Sequence, residues 1–165
     1  MYNSLKRLMA LERNVRDLHR KLANIAVPGT IRDVDHSRGT VRVEMAADRT
    51  AWVPWLTTRA GDDRTWHPPV QGEACIVISP SGEIHNGFAI GSFYRDRFPA
   101  LGDEGIDVTQ YSDGARIGYE RSRSQAVVKI PGRIVIEAPG GIEIKTPLIT
   151  VMGNIAADCV SSGCG

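Results

Sequence analysis

A mainly β chain led by one helix is the fold class this sequence predicts, and three observations carry the prediction. Between Leu8 and Ile25, apolar residues recur at alternating spacings of three and four, the seam of a heptad repeat. Short runs of alternating apolar and polar residues follow. They are punctuated by 17 Gly and 9 Pro among 165 residues, as strands joined by turns are. From Ile134 onward the runs shrink to three or four residues.

The helix is predicted within residues 1–26. Leu8, Leu11, Val15, Leu18, Leu22 and Ile25 form its seam, while Glu12, Arg13, Arg16, Asp17 and Arg20 occupy the other faces, and Val27-Pro28-Gly29 ends it. An isolated helix this short is marginal in water, so it needs a partner. The seam residues are therefore candidates for self-association or for docking on a neighbouring protein. Packing of the seam on the chain's own domain is the alternative.

Residues 27–98 read as a small closed sheet. Thr30–Asp35 alternates, His36-Ser37-Arg38-Gly39 turns and Thr40–Met45 alternates again, as an antiparallel hairpin does. A strand from Thr50 to Val53 is expected next. A buried strand at Ala74–Ile78, closed by the turn Ser79-Pro80-Ser81-Gly82, and a last strand at Phe88–Phe93 bring the total to five. Five short strands suit a Greek-key barrel of the OB-fold type. The most unusual stretch holds Trp52, Trp55 and Trp66, for which core or interface packing is the reading. Base stacking is the rival, but it calls for a basic groove, and Asp62 and Asp63 cancel Arg59 and Arg64.

Residues 99–165 change character. The segments Ile134-Val135-Ile136-Glu137, Ile142-Glu143-Ile144-Lys145 and Ile149-Thr150-Val151 are separated by Ala138-Pro139-Gly140-Gly141 and Thr146-Pro147. Strands so short have no stable home in a monomer. Three copies wrapped about one axis would let Ile134, Ile136, Ile142, Ile144, Ile149 and Val151 complete a shared core, giving an intertwined trimeric β-helix. Hairpins folded back on the barrel are the alternative.

Composition excludes several functions. Lys+Arg of 20 against Asp+Glu of 19 leaves a net charge of +1, so no cationic surplus points to nucleic acid or an anionic surface. No run approaches the roughly 18 apolar residues that cross a bilayer, and the amino end lacks a signal-peptide core, so synthesis as a cytoplasmic product is expected. The four histidines form neither H-x-H nor H-E-x-x-H, and no nucleophile elbow, phosphate loop or dinucleotide turn occurs. A non-enzymatic protein is expected. Cys75, inside the run Ala74–Ile78, reads as a small buried hydrophobe, and Arg116, Arg121 and Arg123 with Glu120 read as a charged strand face.

Taken in order, several stretches resemble the baseplate assembly protein V family, the central spikes of P2-like contractile phage tails and related bacteriocin particles. They are Val27–Asp35, Val41-Arg42-Val43, Trp55–Gly61, Gly72-Glu73, Ser79–Glu83, Gly91–Tyr94 and Ser112–Ala115. The resemblance implies a homotrimer in the tail baseplate of a virion. Its OB barrel would seat on the tail hub among other baseplate proteins, and its β-helix needle would pierce the target outer membrane when the sheath contracts. A hub adaptor with no puncturing role is the alternative.

One departure from that family concerns the tip. P2-like spikes end in an H-x-H pair whose imidazoles hold iron on the threefold axis, whereas no histidine follows His85 here and the tail carries Cys159 and Cys164. Trimerisation would gather these thiols, and thiolates favour zinc or iron–sulfur chemistry over a bare six-nitrogen site, so iron, an iron–sulfur cluster or zinc held by Cys159 and Cys164 is the expectation. Unligated thiols, interchain disulfides or a separate tip-capping protein are the alternatives.

Overall fold

The structure, a computed structural model, describes residues 2–46, 51–102 and 104–153. The chain divides into two compact units, Met1–Gly102 and Asp103–Gly165.

The first unit begins with helix α1, Tyr2–Ala23, whose heptad residues Leu8, Leu11, Val15, Leu18 and Leu22 lie within it as the spacing predicts. The helix ends earlier than expected. Ile25 lies in a bend beyond it, and Val27-Pro28-Gly29 does not close the helix but opens strand β1, Ala26–Asp35. Pro28 is tolerated because this half of β1 pairs with β4 alone, and pairing with β2 starts at Thr30.

Four more strands complete a nearly closed barrel: β2 Thr40–Glu44, β3 Val53–Pro54, β4 Ala74–Ile78 and β5 Phe88–Ile90. Their order is β3-β2-β1-β4-β5, each neighbour antiparallel. A parallel bridge between Trp55 and Ala89 joins the two outer strands, and Leu56 N–H donates to Ala89 O at 2.8 Å. This is an arrangement consistent with an OB fold.

Strand β1 makes closure possible by serving both sides of the sheet, Ala26–Thr30 on β4 and Thr30–Asp35 on β2. A register shift between Ile31 and Asp33 inserts Arg32 as a bulge, and bulges bend a strand in the way that a small barrel requires. At Gly29 strand β2 approaches closely; a Cβ there would run into the Val43 side chain and the Glu44 carbonyl. Inward residues alternate from the strands to form one core of Ile31, Val41, Val43, Met45, Val53, Cys75, Val77 and Ala89, with Val27, Val34, Trp55 and Ile84 packed at its margin. Each fully buried Val or Ile contributes about 1.5–3 kcal/mol.

Two strand predictions are corrected in extent. The last strand stops at Ile90, so Phe93 lies outside it, and the strand expected from Thr50 is Val53–Pro54, Thr50 itself lying outside the described residues.

The second unit holds a meander that the sequence reading passed over: β6 Ile106–Gln110, β7 Arg116–Glu120 and β8 Gln125–Lys129, paired in that order. Its first turn is held by Tyr111 N–H donating to Ala115 O at 2.9 Å and by Ala115 N–H donating to Asp113 Oδ1 at 2.9 Å. Gly118 lets β7 lie close against β6, since a Cβ there would strike the Asp107 carbonyl. Beyond β8 the three isoleucine-headed segments carry no regular secondary structure and form no ladder within the chain among the described residues. With turns on both sides and three or four residues each, none reaches a strand of its own chain to pair with.

Candidate functional site

Nothing in the described residues assembles a reaction centre. No group of three or more His, Cys, Asp or Glu side chains there could hold a metal. Cys75 is buried in the barrel core, and burial, reinforced by the Glu73 charge, pushes its thiol up to about 11, so it stays protonated and unreactive at neutral pH. His85 serves structure, its Nδ1 accepting from Ala51 N–H at 3.1 Å. What the molecule does display is uncovered apolar surface of three kinds.

The first is helix α1. All five heptad residues within it are exposed, Leu18 and Leu22 by 63% and 66%, because the helix meets the barrel only at its base. There the seat is specific. Ser79 N–H donates to Ile25 O at 2.8 Å, Asn24 Nδ2 donates to Gly82 O at 3.3 Å, and Arg20 bridges Asp17 and Glu83, each at 3.0 Å. Arg20 and Lys21 hold the Asp17 carboxyl below its ordinary range, and Glu83 and then Asp17 raise the Arg20 guanidinium. Gly82 adopts φ +72 directly under the helix, and a Cβ on it would lie 2.6 Å from Lys21 Cα. The signals for this seat were Asn24 at the helix end and the turn glycine Gly82; the sequence reading saw the turn but not what rests on it.

The second is the aromatic face of the barrel. Trp55 and Trp66 meet across the loop between them, with ring centroids 5.4 Å apart and planes tilted by 55°. They line an open cleft of about 450 Å³ with Thr57, Thr65 and Arg64. Arg59, also on the cleft, donates to Asp63 at 2.9 Å, so part of its cationic rim is neutralised. Trp52 does not join the pair; the Arg42 guanidinium stacks over its ring at 4.9 Å.

The third belongs to the second unit. Ile134, Ile136, Ile142, Ile144, Ile149 and Val151 are all exposed, Ile136 by 70%, as are Ile117, Tyr119 and Val128 of the meander. Isoleucines in such number are rarely left in water by a chain that acts alone. Arg116 lies on β7 as the charged-strand reading expects, whereas Arg121 and Arg123 sit in the turn after it, on Asp107 at 2.5 Å and Glu120 at 3.2 Å. Cys159 and Cys164 lie outside the described residues.

Residues 27–94, which span the barrel from β1 to just past β5, match the family model of the Type VI secretion system/phage-baseplate injector OB domain. The chain is also 30% identical over 143 residues to the spike protein of Escherichia phage P2, covering 86% of this chain and 67% of that protein. The chain belongs to the phage-baseplate spike family. Membership makes it a structural component of the virion with a role in the baseplate injector. Because 143 aligned residues exceed the first unit, which ends at Gly102, the likeness to the P2 spike reaches into the second unit as well. The spike family's barrel is thus the part of the chain with a closed core. Of the three uncovered surfaces one lies on the barrel itself, one on α1 and one in the second unit.

Proposed function

We propose that this chain is one subunit of a homotrimeric central spike, a needle that seats on the tail hub and is driven through the target outer membrane when the sheath contracts. The observation that carries the reading is the second unit's row of exposed isoleucines, from Ile134 to Ile149, on segments too short to pair within one chain. Three copies in threefold array would bury that row and pair those backbones, giving the rigid intertwined β-helix that piercing demands. The work is mechanical, with free energy supplied by the sheath and no bond made or broken by the spike.

In this reading residues 1–26, 27–98 and 99–165 are the helix, the OB barrel and the needle. Baseplate and hub proteins meet the barrel, and Trp52, Trp55 and Trp66 belong to that junction. Cys159 and Cys164 would come together at the tip as thiolate ligands for zinc or iron–sulfur chemistry. Elemental analysis of the purified protein against Cys159→Ser and Cys164→Ser variants tests this part alone, equal metal in all three removing it.

Native mass measurement tests the whole. A mass of three chains, resistant to protease through residues 104–153, is expected. A single-chain mass under non-denaturing conditions defeats the proposal. A trimer whose second unit is digested while the barrel persists would favour the hub adaptor with no puncturing role.

A further inference from the structure

Helix α1 carries a full apolar seam and covers none of it. With Leu8, Val15 and Leu22 at heptad position a, and Leu11 and Leu18 at d, Arg7 falls at g and Glu12 at the e position of the following heptad. Those two positions face each other across neighbouring helices of a parallel coiled coil. Neither Arg7 nor Glu12 has an ion-pair partner among the described residues, whereas Asp17, Arg20 and Lys21 at the base are occupied with one another and with Glu83. The charges that could serve a neighbouring helix are therefore left free, and those that fix the helix to its own barrel are satisfied.

Charge also discriminates direction. In an antiparallel pairing with the same seam, Arg7 would face Lys21 of the other helix and Glu12 would face its own counterpart, like charge against like. In a parallel pairing Arg7 meets Glu12. In the threefold array of the spike reading the seat at the barrel acts in the same sense, because helices tied at one end to identical barrels and packed together about a threefold axis run in the same direction. Leu5, exposed at the e position near the free end, widens the apolar stripe beyond what a lone helix on water tolerates.

We infer that the seam of α1 is covered by the same helix of further copies of this chain, parallel and in register, with Arg7 of each against Glu12 of the next. The helix then forms a coiled coil about 33 Å long that sets the register of the assembly at the barrel. The number of strands, three, rests on the spike reading above; the parallel, in-register pairing rests on the helix itself.

Cysteine cross-linking in the full chain tests it. Leu11→Cys, with Cys159→Ser and Cys164→Ser to remove the tail thiols, places a thiol in the seam at a residue exposed in the protomer, so the barrel core is untouched. Mild oxidation is expected to join most chains through residue 11, while Arg13→Cys in the same background, on the outer face, gives no more than background. Absence of the residue-11 link in a protein whose native mass is still three chains overturns this inference and leaves the spike reading standing, the seam then belonging to a different protein. A single-chain mass overturns both. Independently, Arg7→Glu or Glu12→Arg alone should weaken association at low salt by roughly fivefold, and the two together should restore it. Association unchanged by either single reversal overturns the register.

Discussion

The barrel and the region after it are written in the same alphabet, short alternating runs of Val and Ile, yet they treat those residues in opposite ways. Val41, Val43, Val53 and Val77 are wholly buried within one chain, whereas Ile134, Ile136, Ile142 and Ile144 stand in water. One long central strand separates them. Strand β1 has ten residues and bends at Arg32 to pair on two sides, so five strands close on one another. The later segments have three or four residues between Pro and Gly turns, too few for a curve that closes. A barrel is thus self-sufficient and a chain of very short strands is not.

The contrast is sharpest under an inserted charge. Val43→Asp places an unpaired carboxylate in the barrel core and should cost at least about 4 kcal/mol, abolishing the barrel's cooperative unfolding in urea. The same chemistry at Ile144→Asp should leave the barrel transition where it was and remove the proposed trimer from native mass spectra. Equal loss of the barrel from both would break the contrast.

Backbone fit comes next. Gly118→Val drives a side chain into the Asp107 carbonyl and should destabilise the meander by about 1–3 kcal/mol, read as faster amide exchange in β6 and β7 with barrel amides unchanged. Gly82→Ala forces a side chain into φ +72 and against Lys21, for about 1–2 kcal/mol. Its effect should concentrate in faster exchange at Asn24 and Ile25, the seat of α1.

The smallest effects are protonic. Since burial raises the Cys75 thiol from an ordinary 9.0 to about 11, the folded state favours the protonated form. The stability it lends is complete below about pH 9 and is lost as pH rises through about 11. Thiol reagents at pH 8 should accordingly label Cys75 only after denaturation. At the other extreme, the Ser37 hydroxyl and the backbone N–H groups of Ser37 and Arg38 hold the Asp35 carboxyl below its usual range. That contribution is present above the ordinary carboxylate value and fades as pH falls below it. Asp35→Asn should flatten this acid limb by lowering the barrel's stability at neutrality, with little change in acid, as read from urea unfolding at the two pH values.

Much of this was legible before any coordinates. Helix α1, the β1–β2 hairpin, strand β4 and the buried state of Cys75 follow from periodicity and turn residues, which are local properties. The meander β6–β8 was equally local, with Ile106-Asp107-Val108 alternating and Tyr111–Ala115 turning, but Gly105, Gly114 and Gly118 gave it the look of loop. The helix end was misplaced because Val-Pro-Gly is a stop signal by composition, and only the one-sided pairing of β1 lets Pro28 sit in a strand.

By itself, then, the sequence determined which stretches are helix or strand, that five of them suit a barrel, and that the later runs lack a core of their own. Only the tertiary structure decided that Trp55 bridges to Ala89 to close the sheet, that Trp66 reaches Trp55 while Trp52 does not, and that α1 is clamped at Gly82 and bare above it. The physical reason is that hydrogen-bonding pattern and apolar period are set between near neighbours. Closure, close approach and exposure depend on residues as distant as Arg20 and Glu83, which meet only after the chain has folded.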